Sequence, residues 1–283
     1  MRFATRHRID GTYSGRHRSR QQGGAGEFVD FREYSGSEDL RRLDWKVFGR
    51  TGKAFVRLHQ DETNLLCTLA LDASGSMQFN GGSSTGGPLS KLEYAQFLAT
   101  ALSHIISGSQ DQVGLAILTD HLREFMAPRA TLTHIALLQE KIEQLCAEPS
   151  TSMAEGLHEL FERSRGRGTL LLMSDFLMQD LEAVSAAIRL FRHRGWEIVL
   201  LHIVHPREER LPEGTAYLFV GLEGDGSQAC SPFEICAEYE RRFKAHLAMV
   251  RQLALAAGCD YRFVSTSVPY LRTLQGFLVE RSG

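Results

Sequence analysis

From residue 63 onward, short apolar runs of strand length alternate with stretches whose apolar residues recur at helical spacing. The runs over 65–71 (LLCTLAL), 113–118 (VGLAIL), 169–173 (TLLLM) and 196–204 predict strands. Their unbroken apolarity suits parallel strands covered on both faces. Further strands are expected over 122–126 and 260–264. Leu92, Ala95, Ala99, Leu102 and Ile106 predict a helix over 91–106, and the same spacing recurs over 135–145, 153–161, 181–192 and 270–279. Gly195 supplies the cap that closes the 181–192 helix. This alternation predicts an α/β fold, a doubly wound and mostly parallel sheet flanked by helices.

The alternation breaks after Pro206. Segments 216–222 and 230–236 flank Glu223-Gly224-Asp225-Gly226-Ser227, a turn sequence that predicts an inserted β-hairpin. A long helix over 238–257 follows. Ahead of the α/β pattern, residues 1–26 are rich in Arg, Gly, Gln and Ser, while 28–34 and 53–59 have the look of strands. The expected division is a basic segment with a small β-rich appendage over 1–62, cored by Tyr34 and Trp45, and an α/β domain over 63–283 with the hairpin insertion near 216–236.

Composition narrows the class. At 283 residues, with 43% hydrophobic and 23% charged positions, the chain reads as an ordinary globular protein. A net charge of −2 conceals an asymmetry, because residues 1–60 hold thirteen Lys/Arg against seven Asp/Glu. Such a segment suits an acidic protein surface, and nucleic acid is not expected. No stretch reaches the ~20 apolar residues of a membrane helix, and residues 1–7 lack the apolar stretch of a signal peptide. The five scattered cysteines form no C-x-x-C pair and read as reduced thiols. A cytoplasmic location, away from membranes, is the expectation.

Candidate chemistry gathers at the ends of the predicted strands, where open α/β sheets bind their ligands. Asp72-Ala73-Ser74-Gly75-Ser76 follows the first strand, Asp175 follows TLLLMS, and Ser150-Thr151-Ser152 opens a helix. Asp72, Ser74, Ser76, Thr151 and Asp175 form an oxygen-only set suited to Mg2+, with Mn2+ as the second choice. Hydroxyls ligate without adding charge, so the ion stays under-neutralised and a partner's Asp or Glu can complete its shell. Catalysis has less support, because neither an activated nucleophile nor a D-x-D pair stands at the strand ends. The alternative is a magnesium-dependent hydrolase using Asp72 or Asp175. The Gly-rich stretch 81–88 ends in Pro88 where a phosphate loop needs lysine. His202 and His205 fall on opposite faces of their strand, which argues against zinc.

Asp72, Ser74, Ser76, Thr151 and Asp175 resemble the metal-ion-dependent adhesion site of von Willebrand factor A-like (vWA) domains. Upstream, Glu27-Phe28, Arg32-Glu33-Tyr34, Asp39-Leu40-Arg41-Arg42-Leu43-Asp44-Trp45-Lys46 and Arg50-Thr51 resemble a narrower bacterial group, domain-of-unknown-function family fifty-eight. The likeness runs from about Ser14 to Val279. It implies a vWA-like, Rossmann-like sheet, direct metal contact by the two serines and the threonine, and aspartates acting largely through water. It also implies a non-catalytic interaction module whose protein partner is an AAA+ ATPase of MoxR type, in a chaperone-like or complex-maturation role. Two departures stand out: Gly36-Ser37-Glu38-Asp39 replaces Pro-Gly-Asp-Asp, and Ser150-Thr151-Ser152 replaces Gly-Thr-Asp.

Overall fold

The computed structural model describes residues 17–18, 27–34, 45–60, 62–63, 65–82, 89–149, 152–212, 214, 217–224 and 226–282. The chain divides into two compact units, Thr5–Leu65 and a larger one holding Leu66–Gly283. The first contains β1 (His17–Arg18), β2 (Glu27–Glu33), α1 (Trp45–Thr51), β3 (Phe55–Gln60) and β4 (Glu62–Thr63). β1 pairs antiparallel with β4, and β2 with β3 through a bulge between Phe28 and Asp30. Trp45 is not the core residue its sequence suggested. It is 62% exposed and packs edge to face on Phe48, because the seven-residue α1 buries none of its side chains. Tyr34 is half-buried, and its amide donates to the Ala54 carbonyl (2.9 Å).

The second unit begins with β5 (Leu66–Asp72), α2 (Lys91–Gly108), β6 (Gln112–Leu118), β7 (Leu122–Arg129), α3 (Leu132–Glu143) and α4 (Ala154–Arg163). It continues through β8 (Thr169–Ser174), α5 (Leu181–His193), β9 (Glu197–Val204) and the single-turn α6 (Pro206–Glu209). It ends with β10 (Tyr217–Val220), β11 (Ser227–Cys230), α7 (Pro232–Ala256), β12 (Asp260–Ser265) and α8 (Tyr270–Ser282). Six strands make one sheet in the order β12-β9-β8-β5-β6-β7, parallel throughout except for the β6–β7 pair.

β8 and β9 are buried end to end, as their apolar runs predict. Leu170, Leu172, Ile198 and Leu200 join residues of α4, α5 and α7 in one core. The alternate positions Leu171, Met173, Val199 and Leu201 are equally buried, and α2 packs on β5, β6 and β9 with α3 and α8 beside it. The inserted hairpin is β10–β11, paired antiparallel from Tyr217–Cys230 to Val220–Ser227. Its second strand, Ser227–Cys230, lies ahead of the predicted 230–236, most of which is helical because Pro232 opens α7 at the first helical position. There its fixed φ and missing N–H suit the first turn.

This strand order places the functional residues. From β5 the chain crosses through α2 to β6 on one side, and later returns through α4 to β8 on the other. The loops leaving β5 and β8 therefore diverge and open a crevice at the carboxyl ends of those strands, where Asp72 and Ser174 stand.

Candidate functional site

Asp72, the last residue of β5, is buried and fully engaged. Its Oδ1 accepts from the Ser74 amide (2.9 Å) and its Oδ2 from the Ser174 hydroxyl (2.5 Å). The first bond turns the chain sharply after the strand and leaves Ser74 and Ser76 on the same side, with their Oγ atoms 3.1 Å apart. The Ala73 amide donates to the Leu118 carbonyl (2.8 Å), and the Glu148 amide to the Ala73 carbonyl (2.8 Å). These bonds tie the serine loop to its neighbours on both sides.

From β8 comes Asp175, its Oδ1 accepting from the Leu177 amide (2.9 Å). The Ser76 hydroxyl also lies close enough to help hold the Asp175 carboxyl down. Phe176, next in the chain, holds a left-handed conformation (φ 53°) that a bulky residue rarely adopts. Its amide donates to Ser174 Oγ (2.8 Å), and its buried ring packs edge-on against His202. The surrounding contacts thus hold the strained turn in place.

The most consequential residue here is Lys91, which sequence reading did not single out. A capping box starts α2: Ser90 Oγ accepts from the Glu93 amide (3.1 Å), and the Glu93 carboxylate accepts from the Ser90 amide (2.9 Å). Lys91, at the first helical position, is fully buried and donates to Asp175 Oδ2 (2.6 Å) and to Glu208 Oε1. Its presence on the apolar face was legible, since Lys91 lies three, four and seven residues before Tyr94, Ala95 and Leu98. A charge on a buried stripe requires a partner. Glu208 was not legible, because α6 reaches Lys91 only through the fold.

The charges shift one another. Burial, with the neighbouring Asp175 charge, holds Asp72 above the usual carboxylate range despite the bonds from Ser174 and Ser74. Burial alone would raise Asp175 as well, but the Lys91 ammonium brings it below its ordinary value. Lys91 is raised, because attraction to Asp175 and Glu208 outweighs its own desolvation. Two buried carboxylates, Asp175 and Glu208, thus share one buried ammonium, while Asp72 lies close enough to Asp175 to feel its charge.

Asp72, Ser74, Ser76 and Asp175 are therefore brought together. Thr151 lies outside the described residues, as do residues 83–88 of the Gly-rich loop. On either side of Thr151, Glu148 is bonded to Ala73 and the Ser152 amide donates to Asp120 Oδ1 (3.2 Å). His202 and His205 have structural roles: His202 bonds Tyr261 Oη (2.9 Å), and burial pushes its pKa down to about 4. His205 caps α6, its Nδ1 accepting from the Arg207 amide (3.2 Å).

The family described as "Protein of unknown function DUF58" matches residues 30–248. The chain belongs to that family. This DUF58 chain is 24% identical to the uncharacterized protein Rv1480 of Mycobacterium tuberculosis over 290 residues, covering 99% of its own length and 87% of the relative's. The uncharacterized protein Mb1516 of Mycobacterium bovis matches to the same extent. Among solved structures it resembles an aerotolerance-related membrane protein from Bacteroides fragilis bearing multiple mutations to serines. That likeness has a TM-score of 0.51 and 17% identity, and covers 77% of this chain and 98% of the other. The conserved hypothetical protein BatB from Bacteroides thetaiotaomicron is similar at TM-score 0.50 and 17% identity, with 77% and 99% covered. Both share the fold. Among the described residues of the DUF58 chain, no helix is long and apolar enough to cross a membrane.

Proposed function

We propose that the larger unit is a vWA-like interaction module whose metal-ion-dependent adhesion site comprises Asp72, Ser74, Ser76, Thr151 and Asp175. It holds Mg2+, or Mn2+ in its place, and the metal serves to grip a protein partner through an Asp or Glu of that partner. The observation that carries this reading is the convergence of Asp72, Ser74, Ser76 and Asp175 where the strand order reverses, with the two serine oxygens 3.1 Å apart. Neighbouring ligands of an octahedral magnesium, at bond lengths of about 2.1 Å, stand about 3 Å apart, so the pair fits one edge of such a shell. The charge balance fits too, since Lys91 meets two carboxylates with one ammonium and so leaves negative charge for a cation to balance. Bound there, the metal supplies a Lewis-acidic point for a carboxylate oxygen.

The chain's own residues hold the loop in shape. Asp72 fixes the turn at Ser74, Ser174 orients Asp72, and Lys91 keeps Asp175 ionised and immobile. A hydrolase would need one of these carboxylates free to act as base or nucleophile. Both are committed, Asp72 to Ser74 and Ser174, Asp175 to Lys91 and Leu177. A non-catalytic role with an AAA+ ATPase of MoxR type as partner, acting in complex maturation in the cytoplasm, is the reading we adopt.

Calorimetric titration of such an ATPase into wild type and Ser74→Ala, each with Mg2+ and with chelator, tests it. Tight binding is expected only for wild type with metal, with the affinity reduced about 10- to 100-fold in the other three cases, on the scale by which a damaged metal site loses its ion. Equal affinity in all four titrations refutes a metal-dependent grip.

A further inference from the structure

The turn between β10 and β11 does more than reverse the chain. It lays Leu222 and Glu223 directly on the serine loop, and Glu223 Oε1 accepts from the Ser76 amide at 2.5 Å. The approach is so close that a Cβ on Gly75 would collide with the Leu222 carbonyl oxygen and stand 3.0 Å from the second Glu223 oxygen. The turn is closed by the Gly221 amide donating to the Gly226 carbonyl (2.8 Å). Behind this tip the arm is slight. Its strands pair over only four residues each, and Tyr217, Leu218 and Val220 are exposed.

We propose that Glu223 is an internal stand-in for the partner's acidic residue, covering the serine loop until the partner displaces it. This rests on the adhesion-site reading of Asp72, Ser74, Ser76 and Asp175. The chemistry is the same for both occupants: a flexible carboxylate arriving from outside the sheet and landing beside Ser76. Like charge opposes bringing Glu223 toward Asp72 and Asp175, so its position there is favoured by what would attract any other carboxylate, the amide of Ser76 and a cation held by the serines. An arm with so little buried apolar surface can swing away at small cost, which a replaceable occupant requires. The partner class that follows is a protein presenting an Asp or Glu on a projecting segment, small enough to enter where the hairpin tip sits.

The test uses the full chain, Mn2+ as the metal and the pentapeptide Gly-Gly-Glu-Gly-Gly as the carboxylate probe. A stand-in seated nine-tenths of the time weakens outside binding about ten-fold. Mn2+-loaded Glu223→Ala and Glu223→Gln are therefore expected to bind the peptide about ten-fold tighter than wild type. Amide exchange in wild type should quicken over 221–224 when the peptide is added. In metal-free protein, Glu223→Ala should quicken exchange at Ser76. Equal peptide affinity in wild type and both variants, with Mn2+ binding intact, overturns the stand-in and leaves the adhesion site standing. Failure of wild type to bind Mn2+ overturns the adhesion-site reading, and the stand-in falls with it.

Discussion

Lys91 shows how much a single side chain carries. It is fully buried and balances Asp175, just past β8, and Glu208 of α6. Removing the cation leaves two buried carboxylates facing each other without compensation, and breaking a buried pair from one side costs about 3–5 kcal/mol. Lys91→Met, which keeps the stem and loses the charge, should lower the unfolding free energy by that amount and bring the urea midpoint down with it. Adding Glu208→Gln to Lys91→Met should recover part of the loss. An unchanged midpoint in Lys91→Met would mean that the ion pairs contribute nothing to the fold. Ser74→Ala is the contrasting case: the hydroxyl lies at a loop end, 3.1 Å from the Ser76 hydroxyl and beside the Asp72 carboxylate. Its loss should cost no more than about 1 kcal/mol of stability while abolishing metal-dependent binding. That separation of stability from binding is the signature of a ligand.

Among the elements, β6 and β7 define one boundary of the sheet. β7 runs antiparallel to β6 and forms an edge, and their register slips between Val113 and Leu115. Gly114 sits in that slip because a Cβ there would stand 2.6 Å from the Met126 carbonyl oxygen and 2.9 Å from the Pro128 ring. Gly114→Ala should therefore spread the two strands and cost about 1–3 kcal/mol, as overpacking does. Its amide exchange should quicken along β7 and not along β8. Uniform quickening of both strands would show that the edge is not an independent element. Pro128, with no amide hydrogen to offer, is well placed on an edge strand and blunts it against pairing with another chain.

For the whole molecule, the proposed adhesion site would link metal binding to folding. An ion that binds the folded chain alone stabilises it by about 2.7 kcal/mol at a hundred times its Kd. For a domain of this size that corresponds to a rise in Tm of roughly 5–10 °C. Mg2+ and Mn2+ should produce that rise in wild type and none in Ser74→Ala, measured by differential scanning calorimetry. A rise of equal size in the variant would place the stabilising ion elsewhere.

The strand and helix pattern was largely written in the chain. Runs such as TLLLM and the stripe from Leu92 to Ile106 specify element and buried face locally, because side-chain periodicity follows from backbone geometry alone. Asp72, Ser74, Ser76 and Asp175 were legible for a related reason. Each stands at or just beyond the end of an apolar strand, and parallel strands between helix layers expose their carboxyl ends together. The antiparallel course of β7 and the earlier position of the hairpin's second strand were decided by pairing and by Pro232, against a weak local pattern. The exposure of Trp45 was decided by how little a seven-residue helix can cover. Only the tertiary structure brought Glu208 to Lys91 and Glu223 to Ser76, at separations of 117 and 147 residues. Contacts of that span leave no periodic trace, because each depends on where two loops end after the sheet has closed, and nothing in the residues beside either partner encodes that position.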